Sequence, residues 1–398
     1  MTAVVHTVIA RRCAEFGKVN PNSYNNIHCD DEDDPPAKAR TIQSTSILKA
    51  RHYPSLARYY RNARKPQQHD RPFHHVSTSV NEDVDVSHRT FYYTGQEGMV
   101  DFDKFLFNRL SYKQVVIASS VTEIHPECFA QWKSLEQVLF EHPSQCRVIG
   151  SMAFYGCSHL KRLNGQHDET LPESVQIIGS KAFSGCDGLE TVTLPSSVIS
   201  IRRLAFRGCT KLYSVILPST IQTIGFGSFA DCTSLRSIQL PCHLQRLEAS
   251  IFANCTQLRT IRTTNLDRKK SSRGRSLLDD MDDVDDDDDH DYGTIQLPPS
   301  LLSIGNEAFR GCHSLGSNVR LPSAIISIGN HVFEECIRLR DMTLPDNIKE
   351  VGDGCFRNCY SLERLALPLD VSFGVSVFER CHNLQQLVDV HTETIIYI

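Results

Sequence analysis

Between about residues 115 and 390 the chain repeats one arrangement of apolar and polar positions at a nearly constant interval. A copy read from Leu171 runs Leu-Pro, two variable residues, Val175, two more, Ile178-Gly179, Ala182-Phe183, Cys186, Leu189, Val192 and Leu194, and Leu194-Pro195 opens the next. Phe183, Phe206, Phe229 and Phe252 are spaced by 23 residues each, and Phe129, Phe154, Phe309, Phe333, Phe356 and Phe378 continue the series. Val192 and Leu194 alternate with Thr191 and Thr193, the period-two pattern of a short strand with one buried face. Pro195 and Pro218 lack an amide donor and suit the strand end, where the ladder stops. Val175 and Ile178 supply a second apolar pair for the other side of the coil, and Gly179 reads as a tight or left-handed turn. Arg202 and Glu248 replace that glycine in two copies, so positive φ is not required everywhere. In Ala182-Phe183-x-x-Cys186-x-x-Leu189 the apolar residues fall at successive threes, which predicts one helical or 3-10 turn facing inward.

One such unit cannot bury its own apolar face, whereas a stack of them can, with Phe above Phe and Cys above Cys. The predicted fold is therefore a repeat solenoid: a parallel β-sheet of short strands joined by tight helical or 3-10 turns, in about ten coils of 23 residues. The combination Leu-Pro…Ile-Gly-x-x-Ala-Phe-x-x-Cys-x-x-Leu resembles the leucine-rich repeat superfamily, and specifically its BspA-type repeat. The resemblance spans residues 115–390 and involves several positions that recur together in most copies. It implies a binding or surface protein, not an enzyme.

Composition breaks sharply outside the repeats. Residues 1–90 carry the acidic cluster 30–34 and then a basic stretch interleaved with Tyr53, Tyr59 and Tyr60, which reads as a disordered, solvated tail. Basic residues among tyrosines also suit contact with RNA or an acidic partner. Residues 91–114 form a lead-in, and 391–398 a C-terminal tail. The repeat is interrupted at 263–294, where the basic block 268–275 precedes ten aspartates between Asp279 and Asp291. Like-charged blocks have no apolar face to bury, so the segment reads as a disordered loop expelled from the stack. Its basic block resembles a nuclear import signal, and Ser276, between basic and acidic residues, is a candidate phosphosite.

Of the 15 cysteines, nine hold the equivalent position three residues after Phe, and the odd total leaves at least one unpaired. That placement makes them packing residues, each a small hydrophobe with a weak donor, and it suits a reducing compartment. The chain has no Cys-x-x-Cys pair, and His74-His75 has no third ligand nearby, so no metal site is expected. Nor does it contain a phosphate-binding loop, a His-Glu-x-x-His, a Gly-x-Ser-x-Gly or a kinase set. Neither enzymatic activity, a cofactor nor a small-molecule substrate is expected. A formal net charge of −5 points to no obligate nucleic-acid partner, and without a run of 18 apolar residues no membrane span is expected. The first residues lack a basic segment before a continuous apolar stretch, so secretion is not expected, and the cytoplasm or nucleus is the expected compartment.

What remains as a candidate site is the outward face of the main sheet, where polar positions align as columns across copies. These are Thr191, Thr193, Ser214, Ser237, Gln239, Thr260, Asp341 and Arg364, flanked by Tyr213, Arg236, Arg259 and Arg340. Solenoids use such extended faces for protein partners, and tyrosine and arginine are favoured anchors. The expected function is a protein–protein interaction scaffold. Two alternatives stand beside it: a surface or secreted adhesion protein, and a nuclear adaptor whose aspartate run contacts basic proteins.

Overall fold

A computed structural model describes residues 90–95, 112–164, 171–264, 295–316, 319–368, 370–392 and 395–397. The tail before residue 90, the charged blocks of the insertion and Ser276 lie outside the described residues.

The longer strands of successive coils pair in parallel, one coil per strand. Thr90–Tyr93, Gln114–Ile117, Gln137–Phe140 and Arg162–Leu163 form a four-stranded sheet, and ten strands from Thr191–Thr193 to Ile395–Tyr397 form the main one. Across the coil, two-residue strands such as Ile177–Ile178 and Ser200–Ile201 build a narrower pair of five-stranded sheets. The alternation read in the sequence sets the faces: Val192, Val215, Ile238 and Ile261 are buried and stand in register, while the residues between them point away from the core. At the N-terminal end Thr90–Tyr93 adds a turn before the first phenylalanine coil, pairing with Gln114–Ile117. Trp132, which replaces the repeat cysteine there, packs its ring against Phe91 and Tyr112 at 5.4 and 5.7 Å. At the other end Ile395–Tyr397 pairs antiparallel with Gln386–Asp389 and covers that edge of the sheet.

Nine phenylalanines are fully buried, and the tenth, Phe378, is half-buried. Their rings stack with centroids 5.3 Å apart at Phe183–Phe206 and 5.5 Å at Phe206–Phe229. The insertion leaves this column whole: Phe252 and Phe309 stack at 5.6 Å, and Ile261 pairs with Ile295 across the gap in numbering. The coils that flank residues 265–294 are thus direct neighbours in one stack.

The cysteine column has a directional role beyond filling space. Each of the nine thiols donates to the carbonyl of the phenylalanine one coil earlier, from Cys157 to Phe129 O at 3.1 Å through Cys209 to Phe183 O at 3.3 Å to Cys381 to Phe356 O at 2.9 Å. The same carbonyl takes the amide of its own coil's cysteine, as in Cys186 N–H to Phe183 O at 3.1 Å, so both lone pairs are used. Burial pushes the Cys157 and Cys355 thiols up to about 12 and Cys146 to about 11. A buried thiol is also closed to reagent, so alkylation of the folded protein at pH 8 is expected to modify half-buried Cys242 while the buried ladder cysteines, Cys157, Cys186, Cys209, Cys232, Cys255, Cys312, Cys336 and Cys359, stay unlabelled until denaturant is added. Peptide mapping reads this directly, and early labelling of Cys209 or Cys232 would contradict the closed ladder.

The tight inward turn around each phenylalanine is present, but its backbone is not the helical or 3-10 form that the spacing predicts. The residues two before and two after the phenylalanine have positive φ in all ten coils, for example Lys181 at 56° and Gly185 at 72°, or Leu204 at 57° and Gly208 at 71°. Alternate amides therefore point along the stack. Lys181, Phe183 and Gly185 donate to Arg203, Ala205 and Arg207 of the next coil, while Ala182, Ser184 and Cys186 bond three residues back within their own coil. Left-handed backbone costs a side-chain-bearing residue about 1–2 kcal/mol, a cost of the size that the extra inter-coil hydrogen bond offsets at about 0.5–1.5 kcal/mol.

Gly179 and its equivalents are glycine for a different reason from the left-handed turn expected of them. None of them has positive φ. A Cβ on Gly179 would lie 2.6 Å from the Gly150 carbonyl carbon and 2.7 Å from the Ser151 nitrogen, so the requirement is close approach to the backbone of the neighbouring coil. In the later coils the same space is shared with a side-chain ladder: Asn306 and Asn330 accept from the amides of Asn330 and Asp353, both at 2.9 Å. Where Glu248 replaces the glycine, the narrow sheet divides between Thr223–Ile224 and Arg246–Leu247, and the rings of Phe229 and Phe252 stand 6.1 Å apart.

Candidate functional site

The face of the ten-stranded sheet gathers the polar positions read from the sequence. Ser214 lies in register with Thr191 on one side and Ser237 on the other, and Ser237 with Thr260, giving a column of four hydroxyl side chains. Beside it runs a second column, Thr193, Ile216, Gln239 and Arg262. Along the start of the strands Tyr213, Arg236 and Arg259 are linked by backbone bonds, Arg236 N–H to Tyr213 O at 2.9 Å and Arg259 N–H to Arg236 O at 3.0 Å. Asp341 and Arg364 stand opposite one another further down the sheet, with Arg340 before Asp341. Tyr213, Arg236, Arg340, Asp341 and Arg364 are exposed; Thr191, Thr193, Ser237, Gln239, Arg259 and Thr260 are half-buried. Ser214 is only 5% exposed, covered by its neighbours, and offers a partner the least surface of the set.

Gln296 and Arg320 were missed as members of this face. They pair with one another and continue the column of Arg262, since Arg262 follows Ile261 and Gln296 follows the paired Ile295. Both are exposed. The signal was present, because each immediately precedes a Leu-Pro pair as Gln239 does, but the insertion breaks the count of copies at that point.

The turn side carries charges of another kind. Glu334, with a side chain 5% exposed, lies 3.1 Å from Arg310 Nε, 3.2 Å from His331 Nδ1 and 3.8 Å from Arg357 Nε, and Arg357 reaches Glu379 at 3.2 Å. The two guanidinium groups and the imidazole all stand within ion-pair distance of the one carboxylate. Burial alone would raise the Glu334 carboxyl, yet the contact with His331 and the charges of Arg310 and Arg357 hold it below its ordinary range. Acid and base here neutralise one another along consecutive coils, so this is an internal tie between coils. Among the described residues no group of three or more histidine, cysteine or carboxylate side chains is placed to hold a metal, and no helix is long and apolar enough to cross a membrane.

A family profile described as "BspA type Leucine rich repeat region" matches residues 92–168, 166–271 and 289–397, most of the chain. The chain belongs to that family. As a BspA-type leucine-rich repeat protein it is similar to a solved leucine-rich repeat protein from Bacteroides ovatus, with 26% identity and a TM-score of 0.54, over 70% of this chain and 66% of the other. The BspA-type chain thus spans just under two thirds of that relative's length. A leucine rich cell surface protein from Faecalibacterium prausnitzii shares 24% identity over 71% of this chain and 80% of its own, with a TM-score of 0.41. No curated protein matches the BspA-type chain. The profile boundaries bracket the insertion, leaving out residues 272–288.

Proposed function

We propose that this leucine-rich repeat protein is a non-enzymatic scaffold that holds a protein partner on the face of its ten-stranded sheet. The observation that carries this reading is the contrast between the two sides of the coil. On the turn side Arg207, Arg310 and Arg357 each stand at ion-pair distance from a carboxylate, while along the sheet face Tyr213 and Arg236 are exposed beside hydroxyl-bearing and amide side chains, and Arg340 and Arg364 are exposed further down. Aromatic and arginine anchors on a rigid, pre-formed surface bind with little ordering cost. The thirteen free cysteines of the described residues suit a reducing compartment, and we place the protein in the cytoplasm or nucleus on that ground.

The test is affinity capture from the native cell with the wild-type chain and with Tyr213→Ala/Arg236→Ala/Arg259→Ala. Loss of the captured partner at an unchanged melting temperature is the expected result. Equal recovery by the triple variant would remove the sheet face from the proposal, and fractionation into the secreted or surface pool would remove the compartment.

A further inference from the structure

We infer that the partner presents an extended acidic segment, with carboxylates gripped by Arg236, Arg259, Arg262 and Arg320. This rests on the sheet-face reading above and adds the chemistry of what binds there. The chain carries a formal net charge of −5, yet this part of the sheet is locally basic. Among the described residues none of the four arginines is within ion-pair distance of a carboxylate, whereas Arg207, Arg246, Arg310 and Arg357 on other surfaces all are. Arg259 is half-buried, and among the described residues its Nε–H has no acceptor.

Spacing favours an extended chain. Arg236 and Arg259 immediately precede adjacent strands, roughly 4.8 Å apart, and Arg262 and Arg320 stand on strands two apart, roughly 10 Å. Side chains on one face of an extended peptide recur every ~6.6 Å, within the reach of guanidinium forks that take carboxylates bidentately. Between the arginines, Ser237, Gln239 and Gln296 offer donors and acceptors to a peptide backbone. Single-stranded nucleic acid asks for a stacking platform and a long basic track. Among the side chains described in the ten-stranded sheet, Tyr213 is the one exposed aromatic, and past Arg340 the acids Asp341 and Glu363 interrupt the basic surface.

The experiment titrates the full chain into a fluorescein-labelled dodecapeptide of alternating glutamate and threonine, with its glutamine counterpart as control, and reads anisotropy at about 150 mM salt. Saturable binding of the acidic peptide alone is expected. Arg236→Gln/Arg259→Gln/Arg262→Gln/Arg320→Gln should weaken it at least about tenfold with unchanged melting. The milder Arg262→Gln/Arg320→Gln pair, both at exposed positions, should weaken it in part, and Lys181→Gln on the turn side should leave it intact. Equal binding by wild type and quadruple variant overturns the inference. So does tighter binding of an oligothymidine, or peptide binding that emerges only after removal of residues 266–292, which would make the chain's own aspartates the occupant. If the peptide fails while Tyr213→Ala/Arg236→Ala/Arg259→Ala still loses its captured protein, the sheet-face reading stands and only the acidic chemistry falls.

Discussion

Replacing Phe206 by alanine is expected to cost about 3–5 kcal/mol of unfolding free energy, the range for removing a fully buried aromatic side chain. Phe206 lies between Phe183 at 5.3 Å and Phe229 at 5.5 Å, both themselves fully buried, so the vacated space is closed on both sides by stacked rings that cannot move without unstacking from their other neighbours. In a solenoid each coil touches only the coils beside it, so the loss falls on two interfaces at once. Urea unfolding should therefore show a lower midpoint and a broader transition as the two halves uncouple. The same change at half-buried Phe378, which has one stacked neighbour among the ten, Phe356 at 5.9 Å, should cost distinctly less. Equal losses at both positions would contradict the stack as the source of stability.

The Glu334 ladder gives the second large effect. Glu334→Gln keeps the volume and removes the charge that Arg310, His331 and Arg357 share. Breaking a buried ion pair costs about 3–5 kcal/mol; the partners here are a quarter to a third exposed and regain water, which brings the expectation to about 2 kcal/mol at pH 7. The sign of the pH dependence follows from the lowered carboxyl. Because the folded form binds its proton less readily than the unfolded chain, the stabilisation is fully present above the ordinary glutamate value of 4.5 and is lost as pH falls below it through the folded value. Wild type should lose more stability than Glu334→Gln between pH 5 and acid, and parallel acid profiles for the two would exclude this carboxylate as the tie.

How much of this was legible from the sequence depends on what each residue type records. Phenylalanine and cysteine are required by volume at one position per coil, so their periodicity reports the core and the direction of stacking. The left-handed positions report almost nothing by identity. Glu127, Met152, Lys181, Leu204 and His331 all adopt them because the inter-coil amide bonds impose the conformation, not because the residue prefers it. The readable trace is an exclusion: no valine, isoleucine or threonine stands at any of these positions, as steric crowding at positive φ demands. Gly179 was visible as a special residue, but sequence does not distinguish a glycine needed for positive φ from one needed for a missing Cβ. On the sheet face the columns through Thr191 and Thr193 follow from period-two alternation, whereas the burial of Ser214 depends on the size of neighbouring side chains and the membership of Arg320 on knowing that the stack continues across the insertion.

Three alternate amides around each phenylalanine, the two left-handed residues and the phenylalanine itself, donate toward the following coil at every interface from Glu127 onward. The turn side is in this respect a one-way structure, with an electrical axis of the kind aligned peptide groups give a helix. Its two ends are chemically unlike. In the last coil Ser376, Phe378 and Arg380 make no such bonds among the described residues, so their amides stand as donors at that end, while Phe91 and Tyr112 pack around Trp132 of the first coil. For anyone building with this repeat the rule is directional. A whole coil can be spliced after Cys381 and meet waiting donors with its carbonyls, but one placed ahead of Phe129 must first displace an aromatic lid, and a coil set in reverse would oppose like to like.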